Sequence, residues 1–156
     1  MRIAPTLEGG LRIDPETPDD WLILHAILLD ANGAEPDLAE QLGGMVTHER
    51  LAEDWQDIVV PDLRESFSDS LYHIQAVIDT AAALPKDSVC PIWITREESL
   101  NWYSALNQAR LALEKKYGLG SYSESDPANI SPIRHEALIR SQFYCALQSL
   151  LLRHSL

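Results

Sequence analysis

Three polar side chains near the middle of the second half of the chain have the spacing of one small recognition site. Tyr103, Asn107 and Arg110 follow one another at intervals of four and three residues, so a helix places them on one face, which Glu114 continues. A guanidinium beside an amide can bind a carboxylate or a stretch of backbone. The pattern indicates a ligand-binding site on a helix over residues 96–117. An ion pair between Arg110 and Glu114, with a buried Asn107, is the more common structural explanation of such spacing.

A second group of side chains has the spacing of metal ligands. Glu65, Asp69 and His73 lie four residues apart and therefore share one helix face. They could hold a cation, although a single helix rarely supplies a whole site, and a solvated helix face explains the same pattern. The Glu-x-x-His pairs of di-iron helical bundles do not occur in the sequence. A metal-binding helical bundle is therefore an alternative hypothesis only.

Catalytic motifs are missing from the sequence. It has no Gly-x-Ser-x-Gly turn, no phosphate-binding glycine-rich loop and no dinucleotide-binding fingerprint. The five histidines and the two cysteines, Cys90 and Cys145, lie in no local motif for nucleophilic catalysis or zinc binding. We therefore expect no catalytic residue, no metal and no cofactor. An enzyme acting at the polar face of the 96–117 helix is kept as an alternative.

Short apolar runs on either side of Gly9 and Gly10 predict a small hairpin at the N-terminus. The runs are residues 2–4 and 11–13, and a Gly-Gly pair readily adopts the positive φ values of a tight turn. Residues 91–94 are β-branched and aromatic, which favours a further short strand beside residues 11–13. The sequence thus predicts a hairpin or a short sheet as a minor part of the fold.

Apolar periodicity and helix capping residues predict a mainly α fold of about five helices, in a single domain over residues 1–156. Thr17 and Ser131 are typical first caps, Pro61 interrupts a helix, and Gly118 is a typical stop. The substantial predicted helices cover residues 17–32, 47–60, 62–83, 96–117 and 131–154, and a short helix is predicted over residues 38–42. A polar loop is expected over residues 120–129.

Charge is distributed unevenly along the chain. The net charge is −12, and residues 1–80 contain 17 acidic and 4 basic residues, against 7 and 8 in residues 81–156. An acidic half repels phosphate backbones, so we expect no nucleic-acid partner, and it attracts a basic protein surface. The sequence shows neither a signal peptide nor an apolar run of bilayer length. We expect a cytoplasmic protein without a membrane partner.

The last predicted helix has apolar side chains over a wide arc of its surface. They include Ile133, Leu138, Phe143, Leu147 and Leu151. A helix that is apolar over so much of its circumference lies in the centre of a fold or in an interface. The pattern therefore predicts either a central position or a homodimer through the C-terminal helix.

Part of the chain is similar to a known family. Trp102, the segment 105–113 (Ala-Leu-Asn-Gln-Ala-Arg-Leu-Ala-Leu) and the turn 117–119 (Tyr-Gly-Leu) carry the resemblance, mainly within residues 100–119. They resemble an uncharacterised bacterial family known only as a domain of unknown function and familiar from actinobacteria. The resemblance implies no established activity, cofactor or catalytic residue. It draws attention to Asn107 and Arg110.

These observations favour a non-catalytic interaction or regulatory domain of the bacterial cytoplasm, with an acidic N-terminal half. Its expected partners are a basic protein or a second copy of the chain. A small-molecule-binding protein or enzyme with a site at Tyr103, Asn107 and Arg110 is the first alternative. The metal-binding bundle is the second.

Overall fold

A computed structural model describes residues 1–33, 37–45, 49–83, 90–119 and 131–155 of the chain. For residues 49–51 it describes the backbone alone. The predicted mainly helical fold with a small sheet is confirmed. The elements are β1 (Arg2–Pro5), β2 (Gly10–Asp14), α1 (Pro18–Ala31), α2 (Leu38–Gly43), α3 (Glu49–Asp54), a π-helical segment (Trp55–Val59), α4 (Val60–Ala82), β3 (Ile92–Thr95), α5 (Ser99–Tyr117) and α6 (Pro132–His154).

The three strands form an antiparallel sheet in the order β1-β2-β3, as the sequence predicted. Leu11 pairs with Ile94 and Ile13 with Ile92, and all four side chains are buried on the inner face. Gly10 has a φ of 125°, and a Cβ at this position would overlap the carbonyl oxygen of Ile94. The turn between β1 and β2 therefore requires glycine at residue 10.

Local capping signals set most helix ends where the sequence placed them. The side chain of Thr17 accepts a hydrogen bond from the Asp20 amide, and Asp20 accepts one from the Thr17 amide, so a complete capping box begins α1. Gly118 ends α5 in the left-handed conformation, with φ 60°. The helix start predicted at Thr47 and the polar loop over residues 120–129 lie outside the described residues.

Two helix boundaries differ from the prediction. The reciprocal bonds between Thr95 and Glu98 are present, yet α5 begins at Ser99 rather than at residue 96, because β3 extends to Thr95 and the chain must turn before the helix starts. Pro61 lies in the first turn of α4, as a helix restart requires, and the residues before it form a π-helical turn that the sequence did not predict.

Helix α5 lies at the centre of the helical part of the fold. Its buried residues pack with the core of α1, α4 and α6. Arg134 of α6 donates to the carbonyl of Gly118, and Gln148 donates to that of Tyr103, so α6 runs antiparallel to α5. The α5 side chains in the core are Trp102, Ala105, Leu106, Ala109 and Leu113.

Candidate functional site

The predicted polar face of α5 is half-buried. Tyr103, Asn107 and Arg110 all lie in this intermediate environment, and Arg110 Nη2 donates a long hydrogen bond of 3.4 Å to Asn107 Oδ1. Among the described residues Arg110 has no carboxylate at ion-pair distance, and its buried Nε has no hydrogen-bond partner. The expected ion pair with Glu114 is therefore not formed. The structure joins Asn107 to Arg110, whereas Tyr103 contributes its backbone carbonyl to a bond from Gln148.

The predicted metal ligands do not gather around one point. Glu65 and Asp69 are exposed on α4, whereas His73 Nε2 lies 3.4 Å from Glu98 Oε1 at the start of α5. In the described ranges no three His, Cys, Asp or Glu side chains are close enough to hold a metal ion. The structure thus gives these three residues separate surroundings.

An acidic surface runs along α4. Asp62, Glu65, Asp69 and Tyr72 follow one another at intervals of three and four residues, so they share one face, and all four are exposed. We call these four residues the α4 acidic face. Within the part of the chain that the structure describes, none of its three carboxylates forms an ion pair. Tyr72 is 77 % exposed among them.

The described arginine side chains of the N-terminal half are already engaged by other carboxylates. Arg2 pairs with Glu16, Arg12 pairs with Asp14, and Arg64 contacts both Asp37 and Glu40 at 2.7 Å. These pairs leave the α4 acidic face without a neutralising cation from the described side chains. Its negative charge is therefore directed to the outside of the molecule.

The outer face of the sheet carries a groove of about 640 Å³. Trp93 is 52 % exposed there, with the guanidinium of Arg12 at 5.2 Å from its ring centroid, and Leu7 projects fully from the β1–β2 turn. Sequence reasoning missed this groove. The available signal was strand alternation, which turns Trp93 away from the core when Ile92 and Ile94 face it.

A third polar cluster joins α1 to α6. The Arg140 guanidinium binds the Asp30 carboxylate with two hydrogen bonds of 2.7 and 3.1 Å, and the Tyr144 hydroxyl donates to Asp30 Oδ2 at 2.7 Å. Burial, reinforced by the hydrogen bond to Asp30, raises the pKa of Tyr144 well above its usual value. These groups satisfy one another, so the cluster supports the fold rather than a ligand.

A mainly helical domain with a three-stranded sheet on one side is the class of protein that these features define. A family model described as "Domain of unknown function (DUF2017)" matches residues 4–154. The chain belongs to this family.

The match confirms the resemblance to a domain of unknown function and extends it well beyond residues 100–119. The family description gives no activity and no site residues. No curated protein and no solved structure matches the chain. Among the helices in the described ranges, none combines the length and hydrophobicity needed to cross a bilayer.

Proposed function

We propose that the chain is a non-catalytic interaction domain of the bacterial cytoplasm that binds a basic protein through the α4 acidic face. The observation that carries this proposal is the set of exposed carboxylates of Asp62, Glu65 and Asp69, which have no ion-pair partner among the described residues. Like charges three and four residues apart repel one another along a helix. A partner with lysine or arginine at matching positions removes that repulsion when it binds.

Charge and apolar surface have different roles in such a contact. Unpaired carboxylates speed the encounter with a basic protein and exclude acidic ones. Tyr72 supplies an amphipathic ring at the end of the same face, and tyrosine is among the residues that most often contribute strongly to binding energy when an interface covers them. The α4 acidic face thus provides carboxylates that speed the encounter with the partner and a tyrosine that contributes to the binding energy.

Affinity capture from a lysate of the source organism, at low and moderate salt, tests this proposal. Three proteins are compared: the wild type, a face variant (Asp62→Asn, Glu65→Gln, Asp69→Asn) and a matched control (Glu97→Gln, Glu114→Gln, Glu136→Gln) that loses the same charge at exposed sites elsewhere. We expect one basic protein in stoichiometric amount with the wild type and the control. The face variant should lose it, and salt should weaken the capture because it screens exposed charges.

Two results would contradict the proposal. If the face variant and the control retain the partner equally, the α4 acidic face is not the contact. If neither wild type nor control enriches a basic protein at low salt, the chain has no such partner under those conditions of expression.

A homodimer through α6 is a second interaction proposal. Leu147 and Leu151 are buried within the chain, so a dimer contact would use Ile139, which is 47 % exposed, and the exposed Ala146 seven residues later on the same helix face. Sedimentation of the wild type and of an Ala146→Glu variant tests it. A concentration-dependent dimer that the variant abolishes supports the contact, and a monomer at high concentration contradicts it.

A small-molecule site at Tyr103, Asn107 and Arg110 is a second candidate function, favoured by the half-buried guanidinium of Arg110, which has no carboxylate at ion-pair distance among the described residues. A half-buried guanidinium without a carboxylate partner can bind a small carboxylic acid. Calorimetric titration with acetate and benzoate, on wild type and Arg110→Gln, tests this site, with the exposed Arg153→Gln as control. Binding that only Arg110→Gln removes supports it, and no heat of binding to the wild type contradicts it.

A further inference from the structure

A pocket of about 210 Å³ lies where the end of α1, the start of α2, the first half of α4 and the middle of α5 meet. It is smaller than a typical drug-sized site, yet it has room for about seven water molecules at liquid density. Its lining combines apolar side chains, such as Leu38 and Phe67, with the polar side chains of Asn32, Asp37 and Gln108. The pocket is therefore suited to a slender ligand that is apolar along its length and polar at its end.

Gln108 contributes an unused hydrogen-bond acceptor to the pocket. The residue is only 6 % exposed, and its Nε2 donates to the Phe67 carbonyl and to Ser104 Oγ, both at 3.3 Å. Its Oε1 accepts no hydrogen bond from the described residues. Gln108 is one of the residues that line the pocket. A ligand that binds to Gln108 Oε1 must therefore carry a hydrogen-bond donor.

The neighbouring charges also favour a donor, and specifically a cation. Arg64 uses Nε on Asp37 and Nη2 on Glu40, which leaves one net negative charge among these three groups, of which Asp37 and Arg64 line the pocket and Glu40 lies beside it in α2. Burial raises the pKa of Asp37, but the hydrogen bonds from Arg64 and from the Glu40 amide outweigh it, and the pKa lies below its usual value. Asp37 is thus ionised at neutral pH.

The lining of the pocket includes a neighbour of the α4 acidic face. Ser68 lines the pocket and is exposed, and it lies three residues after Glu65 and four before Tyr72 on α4. Residues at these spacings are neighbours on the surface of a helix. A protein that is bound to the α4 acidic face and also contacts Ser68 therefore reaches the lining of the pocket.

We infer that the pocket receives a lysine side chain of the basic partner, whose ammonium donates to Gln108 Oε1 and lies close to Asp37. A lysine stem packs along apolar walls while its compact head group carries three donors. An arginine fork fits less well, because both Asp37 oxygens already accept bonds, from the Glu40 amide and from Arg64. The inference rests on the proposed function, since it needs a basic protein on that face.

An NMR titration with n-butylammonium chloride, which reproduces the lysine side chain without its backbone, tests the pocket directly. We expect saturable shifts of amides around the pocket and of the Gln108 side-chain amide. Gln108→Met keeps the volume and removes the acceptor, so the apparent affinity should fall about tenfold or more. Gln148→Met is the matched control, since Gln148 is also buried and donates one long bond to a backbone carbonyl. The Gln148→Met variant should bind n-butylammonium with the affinity of the wild type.

If Gln108→Met does not fold, Ser68→Phe replaces it, because residue 68 is exposed and a phenyl ring there fills the pocket. The Ser68→Phe variant should show none of the NMR shifts that n-butylammonium causes in the wild type. Equal binding by wild type and Gln108→Met, or no saturable shift in the wild type, overturns the inference. Capture of the basic partner separates the two proposals: a partner lost by the face variant but kept in full by Gln108→Met refutes the lysine pocket alone.

Discussion

Two groups of carboxylates in this protein use the same chemistry in opposite ways. At the contact between α1 and α6, Asp30 is met by Arg140 and Tyr144, and the carboxylate side chain is only 12 % exposed. On the α4 acidic face, Asp62, Glu65 and Asp69 are exposed and have no cation from the described residues. The first group contributes to the stability of the fold. The second group costs a little stability and is available to a partner.

The difference follows from solvent and from distance along the chain. A carboxylate removed from water must be paired, and the partner of Asp30 comes from another element, since Arg140 is 110 positions away along the chain. An exposed carboxylate is solvated, so it gains little from a partner in its own chain. It therefore remains available for contacts that form later. Substitutions in the two groups should accordingly have effects of different size and of opposite sign.

The largest effect is expected for Asp30→Ala. The variant leaves the Arg140 guanidinium without its bidentate partner and the Tyr144 hydroxyl without its acceptor, which should lower the free energy of unfolding by about 2–3 kcal/mol. Urea denaturation followed by circular dichroism measures it. The exposed Asp69→Ala is the control and should stay within about 0.5 kcal/mol of the wild type. Equal losses in the two variants would refute the distinction between the groups.

A smaller effect concerns alkaline pH. The raised pKa of Tyr144 means that the folded chain keeps this proton above pH 10, where the unfolded chain, with an ordinary tyrosine pKa of about 10, releases it. The stabilisation is complete below pH 10 and is lost as the pH rises further, by up to about 1.4 kcal/mol per pH unit. Unfolding free energies measured between pH 9 and 11 should therefore fall more steeply for the wild type than for Tyr144→Phe. Parallel curves would show that Tyr144 has no shifted pKa.

The smallest effect has the opposite sign. Glu65→Gln removes repulsion with Asp62 and Asp69, which should raise the free energy of unfolding by about 0.5 kcal/mol at low salt. The gain should vanish in 1 M NaCl, where charges are screened within about 3 Å. Chemical denaturation at the two salt concentrations measures it. A loss of stability at low salt would mean that Glu65 has a favourable partner in the fold.

Local signals in the sequence predicted the fold well. Thr17 with Asp20, and Gly118 after α5, act within a few residues of themselves, so their effect is readable without knowledge of the rest of the chain. The polar surfaces were predicted less well. The sequence placed Tyr103, Asn107 and Arg110 on one helix face correctly, but a pairing expected from spacing alone, Arg110 with Glu114, did not form.

The features that the sequence did not predict depend on contacts between residues that lie far apart along the chain. The cluster of Asp30, Arg140 and Tyr144 depends on how α1 packs against α6, and the exposure of Trp93 depends on which side of the sheet the helices cover. Strand alternation places Trp93 on the face opposite to Ile92 and Ile94, but which face the helices cover, and which residues meet Asp30, cannot be read from a run of neighbouring residues. The acidity of residues 1–80 was evident, and the spacing already placed Glu65 and Asp69 on one helix face, whereas their exposure and their lack of an ion-pair partner among the described residues required the structure.

Zero-length carbodiimide coupling tests the central claim most directly, because it joins a carboxylate to a lysine amine only where the two are in contact. The tagged chain is coupled to the partner captured from lysate, and the joined peptides are identified by mass spectrometry. We predict links from Asp62, Glu65 or Asp69 to lysines of the partner. Links confined to Glu97, Glu114 or Glu136 would contradict the assignment of the α4 acidic face as the binding surface.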